Sequence, residues 1–463
     1  MPVENKIDNT DVNPNSVWTL KEKTAFRIAF IYVALLLIPN PEVLNYVKNI
    51  DWLHLNCRDL FIIATWRHLD YVHIATESGR WGLLSYINLF IPLLIAIPSA
   101  LIWGYFDKDR KEYNKLYYWI SVLVRYKVGI GIVAWGYRKL VPGQMVWPTV
   151  GIMNTPFGDF QAQKLYWQAV GIVPEYEVFL GLAEFVAGFL LLFRKTTALG
   201  AALTAVVLGN IVIANHVYDG SVHVHSFYYT LLAIFLLWKY LPSITRLLIG
   251  RQDVAPAIYY PQFNEKWQRY TRTGIKLFLH YVFVGLFFAL QVIDYIYDPY
   301  RIPETKGLPK SEGYYEVTEF KYNNQLMPYS PLDSLRWHDA IFESWSTLSF
   351  KVNRPAVMDQ SNGGGYSELD IERSWELAGI GGGRRFFYYE ADTVNQILKL
   401  QNKNAAHRDE TMILHYSRPN DTRIILSGIN EFKDSVHIVL DKVDKHYAML
   451  NGPYRKLALY NKD

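Results

Sequence analysis

The chain has 463 residues, a formal net charge of +4 at pH 7, 51% hydrophobic residues and one cysteine, Cys57. A single cysteine excludes a disulfide within the chain and a paired-thiol redox relay. The small positive charge comes from loops between apolar runs and forms no basic stripe, which excludes nucleic acid as a partner. The mean hydropathy of +0.01 averages two populations, apolar runs up to about residue 297 and an ordinary soluble mixture beyond it.

The chain up to Tyr297 predicts an α-helical polytopic membrane bundle. An apolar run of about 17 to 25 residues crosses a bilayer as a helix, and helices are required because every backbone polar group must be bonded within the segment. Seven spans are predicted, at about Thr24–Ile38, Trp81–Trp103, Leu116–Leu140, Tyr176–Phe193, Thr197–Ala214, Phe227–Leu248 and Thr273–Tyr297.

Lysine and arginine in the short connections predict the orientation, because these residues are retained on the cytoplasmic side. About fifteen of them lie in the segments on the N-terminal side of the bundle, against about seven in the other loops. We therefore expect a cytoplasmic N-terminus in a bacterial cytoplasmic (inner) membrane, and seven crossings place the C-terminal domain outside. The inner set is Lys21, Lys23, Arg27, Lys108, Arg110, Lys111, Lys115, Arg194, Lys195, Arg246, Arg251, Lys266, Arg269, Arg272 and Lys276.

Beyond Tyr297 the sequence predicts a linker and an extracytoplasmic β-rich (α+β) domain. "TMILHYSRPNDTRIILSGINEFKDSVHIVLDKVD" alternates apolar and polar residues, which predicts a three-stranded meander with turns at "RPND" and "NEFKD". Some helix is expected around 335–345, where "SLRWHDAIFESW" has no triad spacing and favours structural roles. The glycine clusters "SNGGGY" and "GIGGGRR" predict flexible turns, since neither sits between a strand and a helix as a phosphate loop does.

The predicted organisation follows from these features. Its segments are a cytoplasmic tail (1–23), two spans with a histidine-rich outer loop (24–117), a four-helix module (118–248), a cytoplasmic loop with the seventh span (249–297), a linker (298–310) and the β-rich domain (311–463).

Glu184 is a carboxylate inside the apolar run "GLAEFVAGFLLLFRK". Gly181, Glu184 and Gly188 share one helix face, where small residues let another helix approach closely. Because intramembrane charges usually pair or mark a polar pathway, Arg125 of the third span is the predicted partner at matching depth. Two interpretations stay open: the pair only fixes helix register, or Arg125 and Glu184 form a headgroup or proton site.

Histidines concentrate in two outer loops, which predicts a polar outer mouth. Six of the twelve lie there: His54, His68, His73, His216, His223 and His225. A metal shell is one hypothesis, with His216, His223, His225 and Asp219 as ligands; hydrogen-bonding roles are the other. "WRHLDYVHIATESGRW" is predicted to form an interfacial helix over the bundle. The expected ligand-binding residues at the mouth are Lys139, Asn215 and His216, with His68, Asp70 and His73 nearby.

Several motifs give the third to sixth spans a family resemblance. "VRYKVGIGIVAWGYRKL" has an opening Arg, internal Gly and a final "KL"; "QAVGIVPEYEVFLGLAEFVAGFLLLFRKTTALGAAL" has a "GIVP" approach, a Glu-containing helix and a basic turn. The region from about Tyr118 to Tyr240 thereby resembles the DoxX-like integral membrane family. The family positions fall on Arg125, Gly129, Gly136, Lys139, Pro174, Glu184 and Gly200.

The resemblance implies a four-helix membrane module and an association with membrane oxidoreductases, since the family includes a thiosulfate:quinone oxidoreductase. This chain departs from short family members by two helices before the module, one after it and a large outer domain. The module and the outer β domain are also distantly similar, at the level of fold, to vitamin K-dependent carboxylases.

Three functions are therefore weighed. The first is a subunit of a quinone-linked membrane oxidoreductase, with Arg125 and Glu184 as its intramembrane pair. The second is a noncatalytic scaffold that presents the outer domain to protein partners. The third is a carrier of a small lipid-soluble molecule, which lacks the inverted repeat usual in transporters. Flavin, haem and iron–sulfur signatures are absent, so electron chemistry needs a bound quinone, a metal at the outer histidines or a separate subunit. Membrane lipid is an expected partner in each case.

Overall fold

The computed structural model describes residues 17–73, 83–220, 222–252, 256, 258–297, 301–361, 363, 367 and 369–451. The contacts between these residues divide the chain into two compact units, a helical unit and a β unit. The helical unit comprises the described residues of Met1–Val141 and Phe179–Val292, and the β unit those of Pro142–Val178 and Ile293–Asp463. The segment 142–178, which the sequence places inside the membrane module, thus packs with the C-terminal domain.

Helices overlap each of the predicted spans, and four further helices of the described residues lie outside them. Among the described residues the helices are α1 Leu20–Leu36, α2 Pro41–Lys48, α3 Cys57–Thr65, α4 Ile87–Phe106, α5 Asn114–Leu140, α6 Val150–Met153, α7 Ala162–Gly171, α8 Pro174–Leu191, α9 Thr197–Val217, α10 His223–Leu237, α11 Leu241–Leu248, α12 Lys266–His280 and α13 Phe287–Tyr297, the last two joined by a π-helical turn, Tyr281–Leu286. The four outside the predicted spans are α2, α3, α6 and α7.

Four helical stretches of the described chain are long and apolar enough to span a membrane, or five if α10 and α11, bent by 73°, form one span. The four are Leu83–Phe106, Asn114–Leu140, Arg194–Val217 and Lys266–Tyr297. Helix α1 is shorter, with 17 residues, and α8 carries Glu175 and Glu177 in its first turn in addition to Glu184. The count of seven spans stays a prediction.

Basic connections meet at one end of the helical unit, which we call the basic end. The amide of Trp18, before α1, donates to the Lys111 carbonyl between α4 and α5 at 3.0 Å. The Lys239 ammonium, after α10, lies 4.1 Å from the centre of the Trp18 ring. Between α8 and α9, the Arg194 guanidinium lies 4.1 Å from the centre of the Tyr260 ring. Connections far apart in sequence therefore share this end.

The histidine-bearing connections meet at the opposite ends of the same helices, which we call the histidine end. Pro39, after α1, pairs with His68 in an isolated antiparallel bridge. Ser85, before α4, shares a hydrogen bond of 2.9 Å with His223 at the start of α10. Helices α1, α4, α9 and α10 thus connect the basic end with the histidine end.

Glycine contacts set the register between α5 and α8. A Cβ added to Gly136 would lie 2.8 Å from the Phe185 nitrogen and 3.0 Å from the Gly181 carbonyl oxygen; one added to Gly129 would lie 3.1 Å from the Gly188 carbonyl oxygen. Only glycine permits this separation of the helix backbones. The predicted approach of another helix to the small-residue face of α8 is confirmed, and the helix is the predicted one.

An eight-stranded antiparallel barrel forms the body of the β unit. Neighbouring strands pair in chain order from β3 to β9, and β1 closes the ring by pairing with both β3 and β9. The short strand β2 pairs with the C-terminal end of β1. The strands are β1 Gly313–Tyr322, β2 Gln325–Leu326, β3 Asp339–Phe342, β4 Thr347–Lys351, β5 Arg384–Asp392, β6 Ile397–Asn402, β7 Thr411–Asn420, β8 Arg423–Ile429 and β9 Ser435–Lys442.

Alternating inward positions fill the barrel with large side chains. The rings of Trp337 and Phe350 stack at 3.7 Å, and Phe387 lies 5.5 Å beyond Phe350. The predicted meander is confirmed as β7, β8 and β9. The prediction of a helix around 335–345 is wrong, because residues 339–342 of this stretch form strand β3, which pairs with β1 and β4.

The segment 142–178 is bound to the barrel by backbone contacts. Phe160 and Ile380 form an antiparallel bridge, and the amide of Gly381 donates to the Asp159 carbonyl at 2.7 Å. Gly382 has φ 71°, and a Cβ there would overlap the Asp159 carboxylate. The glycines of "GIGGGRR" thus form a turn that receives this segment, whereas most of "SNGGGY" lies outside the described residues.

Candidate functional site

Glu184 forms a buried ion pair within the helical unit. The Lys139 ammonium lies 2.8 Å and 3.0 Å from the two carboxylate oxygens of Glu184, and only 8% and 3% of the two side chains are exposed. The carboxylate therefore has a bidentate cationic partner and no exposure to solvent. The prediction that Arg125 is the partner of Glu184 is wrong. The glycine contacts between α5 and α8 set a register that places the last turn of α5, which contains Lys139, beside Glu184.

Arg125 lies toward the basic end, 14 residues and thus about 21 Å along the helix from Lys139. It lines a small cavity of about 50 Å³ together with Arg194, Tyr240 and Tyr260. The cavity brings two guanidinium groups together with tyrosine side chains. The structure therefore separates Arg125 from Glu184, the two residues that the sequence predicts as one polar site.

A second lysine, Lys127, occupies the middle of α5 and is only 4% exposed. Its ammonium donates to the carbonyls of Ala64 at 3.3 Å and Trp66 at 2.9 Å, and to the Tyr229 hydroxyl at 3.1 Å. The Trp66 ring centre lies 3.7 Å from the same nitrogen. Carbonyls at a helix C-terminus and an aromatic face both stabilise a cation, so the end of α3 forms a neutral cradle for this charge.

Lys127 has no balancing carboxylate in the part of the chain that the structure describes. Among the described residues, no Asp or Glu oxygen lies within 4.0 Å of its ammonium. A buried charge without a counterion is costly, and in apolar helical bundles such groups mark functional sites. Lys139, in the same helix, is paired with the Glu184 carboxylate. The two buried lysines of α5 therefore differ in whether a carboxylate balances the charge, which separates a structural pair from a binding group.

Two histidines and a tyrosine complete the surroundings of Lys127. The His225 ring lies 5.0 Å from the Tyr229 ring and 6.1 Å from Tyr228, and the His68 ring lies 5.4 Å from Tyr228. His68 and His225 are 6% and 8% exposed. We name Lys127, Trp66, His68, His225 and Tyr229 the lysine–histidine cluster.

Sequence reasoning missed this cluster. The available signal was Lys127 at the centre of the third predicted span, within "RYKVGIGIVAW". Gly131 of the same run leaves space that the Tyr229 hydroxyl fills, since a Cβ there would overlap that hydroxyl. The other half of the site was hidden because residues 57–66 carry no pattern of a span and were assigned to an outer loop.

The predicted metal shell does not assemble. His216 hydrogen-bonds the Tyr86 hydroxyl, and its ring lies 4.7 Å from that of His223, which bonds Ser85 and the Gly220 carbonyl. His225 instead packs in the cluster around Lys127, and Asp219 lies in a turn with φ 55°. Within the part of the chain that the structure describes, no three His, Cys, Asp or Glu side chains are placed to hold a metal ion.

The predicted mouth residues have partners within the protein, and the mouth itself stays a prediction. Lys139 binds Glu184, and the Asn215 amide donates to the Ile211 carbonyl at 2.9 Å. The Asn88 side-chain amide donates to the Asp70 carboxylate at 3.3 Å. The prediction of an interfacial helix is wrong over residues 66–73, which are not helical. Residues 74–82 lie outside the described residues. His54 pairs with Asp51 at the surface, and His73 is exposed.

The β unit contains a buried carboxylate, Glu343, that is held by segment 142–178. It accepts the amides of Val150 at 3.0 Å and Gly151 at 2.7 Å. Burial, with the negative charge of Glu376 as a second cause, raises the pKa of Glu343 to about 7. Glu376 itself pairs with the fully buried Lys403 at 2.8 Å. Glu343 therefore titrates near neutrality while it connects the segment to the barrel.

Other polar residues of "SLRWHDAIFESW" have structural partners, as predicted. Arg336 donates to the carbonyls of Met327, Trp337 and Val317. Asp339 accepts from Arg384 at 2.8 Å. These contacts fix β3 to its neighbours.

The fold and the polar clusters define a class of protein. Helices long and apolar enough to span a membrane indicate membrane association, and a separate antiparallel β-barrel domain follows them. The chain is 30% identical over 119 residues to the uncharacterized protein YwoB of Bacillus subtilis (strain 168), across 26% of this chain and 75% of YwoB. It therefore belongs to the YwoB family. No family model and no solved structure matches the chain.

Proposed function

We propose that the protein is a DoxX-like subunit of a quinone-linked membrane oxidoreductase, in which the lysine–histidine cluster is the polar site for the quinone ring. The observation that carries this proposal is Lys127, which is buried at the middle of an apolar helix and has no carboxylate partner among the described residues. A neutral ligand rich in carbonyl oxygens suits this ammonium, because it accepts hydrogen bonds without an added buried charge.

The proposed topology has seven spans, with the basic end in the cytoplasm of a bacterium and the histidine end outside. The meeting of basic connections at one end supports it, since such residues stay inside. The β unit supports it too. Because 142–178 and 293–463 pack together, an even number of crossings separates them, and α8, α9, α10–α11 and α12–α13 supply four. This assignment makes α8 a span despite its three glutamates.

The chemistry proposed for the cluster is proton transfer to a reduced quinone. Reduction of a quinone to a quinol takes two electrons and two protons. The ammonium of Lys127 already donates three hydrogen bonds, so in this proposal a ring oxygen replaces the longest of them, to the Ala64 carbonyl at 3.3 Å. Tyr229 and His225 lie next to it as hydrogen-bonding groups for proton delivery. The electrons come from a separate redox protein, for which the outer β domain is the proposed docking partner.

The Lys139–Glu184 pair has a different role in this account. Each charge has its partner at hydrogen-bonding distance, and the pair sits beside the Gly136–Gly181 contact. It fixes the register of α5 against α8 and so positions Lys127, nine residues before Gly136 on the same helix. Of the two interpretations of Glu184, we propose the structural one.

Native mass spectrometry with quinone extraction tests the proposal. Wild-type protein in mild detergent is compared with Lys127→Met and with Lys276→Met, which makes the same substitution at an exposed position of α12. We expect a quinone with wild type and Lys276→Met, and its loss with Lys127→Met. Absence of quinone from all three, with unchanged co-purifying proteins, would contradict the proposal and favour a scaffold. Retention of another apolar small molecule would favour a carrier.

A further inference from the structure

A groove with an apolar floor and a basic mouth runs between α1 and α10. Its cavity has a volume of about 540 Å³. Small side chains at Ala25 and Ala29 of α1 give it width, and Leu231, Leu232 and Phe235 line the facing side. Tyr117 of α5 contributes to the lining. The cavity lies within the helical unit and is separate from the lysine–histidine cluster.

The groove is long enough to hold a lipid chain of one leaflet. It extends from Lys21 at the basic end to Leu36 near the histidine end, which is 15 residues and thus about 22 Å of helix. One leaflet supplies about half of the roughly 30 Å hydrocarbon core. A single acyl chain that enters at the basic end therefore fits along the groove without leaving it.

The mouth of the groove carries excess positive charge. Lys21 and Lys239 line it, with Glu22 as the acidic residue. The Glu22 carboxylate accepts from the Thr19 amide at 2.7 Å and the Thr19 hydroxyl at 2.9 Å and also attracts Lys239, so the two lysines and Glu22 together leave one net positive charge. Of the carboxylates in the described chain, none lies within 4.0 Å of either lysine ammonium. Lys239 rests on Trp18 at 4.1 Å instead.

We propose that this groove binds one acidic phospholipid, with its phosphate at Lys21 and Lys239 and one acyl chain between α1 and α10. Basic pockets between helices at the cytoplasmic side suit anionic headgroups, and aromatic side chains such as Trp18 and Trp238 occupy the headgroup level. The site is independent of the proposed quinone chemistry, because none of its lining residues belongs to the cluster around Lys127.

Lipid retention measured by native mass spectrometry tests this site. The full-length protein is reconstituted in phosphatidylcholine vesicles that contain phosphatidylglycerol, then released into mild detergent. The variants are Lys21→Gln with Lys239→Gln, and Ala29→Phe, which fills the groove without a change of charge. The matched control is Lys108→Gln with Lys115→Gln, which removes two charges at the same end outside the groove.

We expect wild type and control to retain one phosphatidylglycerol. At about a factor of five per lysine, the double groove variant loses roughly 25-fold in affinity, and Ala29→Phe also loses the lipid. An arginine version of the double variant restores binding and shows that the helices are intact. Equal loss in the control, equal retention of phosphatidylcholine, a quinone in place of the lipid, or unchanged binding with Ala29→Phe would each overturn the proposal.

Discussion

Removing the carboxylate of Glu184 isolates the contribution of the buried ion pair. In Glu184→Gln the Lys139 ammonium keeps its position, 8% exposed, but loses both charged oxygens at 2.8 Å and 3.0 Å. Breaking a buried pair by removing one partner costs about 3–5 kcal/mol, because the remaining charge has neither water nor a counterion. We expect the free energy of unfolding to fall by about 3 kcal/mol, since the Gln oxygen still accepts one hydrogen bond.

The assay is a double-mutant cycle on detergent-solubilised protein, with unfolding followed by circular dichroism during a titration with sodium dodecyl sulfate. Lys139→Met together with Glu184→Gln should cost much less than the sum of the single changes, because the double variant leaves no unpaired charge. Arg125→Met is the control and should add independently to Glu184→Gln. Coupling of Glu184 to Arg125, with additivity for Lys139, would refute the assigned partner and the register.

Three further predictions concern pH, helix contact and the barrel core. Glu343 has a folded pKa of about 7 against a usual 4.5, so the β unit should lose stability as pH rises from about 4.5 to about 7, by about 3 kcal/mol in total. The protection factors of the Val150 and Gly151 amides, which correct hydrogen exchange for its intrinsic rise with pH, should fall over that window in wild type but not in Glu343→Gln. Gly136→Ala should destabilise the helical unit by about 1–3 kcal/mol, because its Cβ would lie 2.8 Å from the Phe185 nitrogen, and a detergent unfolding titration with no change would contradict the close contact. Phe350→Ala removes a fully buried ring and should cost about 3–5 kcal/mol in denaturant unfolding of the full-length protein; a cost below about 1 kcal/mol would be inconsistent with the packed core.

Periodic patterns predicted the parts of the fold that depend on local residues. Apolar runs located the helices, and the spacing of Gly181, Glu184 and Gly188 identified the face of α8 that touches α5. The prediction of Arg125 as the partner of Glu184 was wrong for a physical reason. Depth was counted from the ends of two spans, whereas backbone contact at Gly136 and Gly181 sets the register and brings Lys139 alongside.

Long-range contacts explain what the sequence did not predict. Segment 142–178 joins the barrel through bonds such as Gly381 to Asp159, which are more than 200 residues apart and leave no periodic signal. The cluster around Lys127 has the same origin, since α3 supplies its carbonyls from more than 60 residues away. A buried lysine is visible in the sequence, but whether a carboxylate faces it is decided only by the tertiary fold.

The most direct test of the central claim is photolabelling of the full-length protein in membranes with an azido-quinone, followed by peptide mapping. We expect adducts on the peptides that contain Trp66 and Tyr229, competed by unlabelled quinone and lost in Lys127→Met but not in Lys276→Met. Adducts that are unaffected by Lys127→Met, or that map only to other helices, would contradict the assignment of the lysine–histidine cluster as the quinone site.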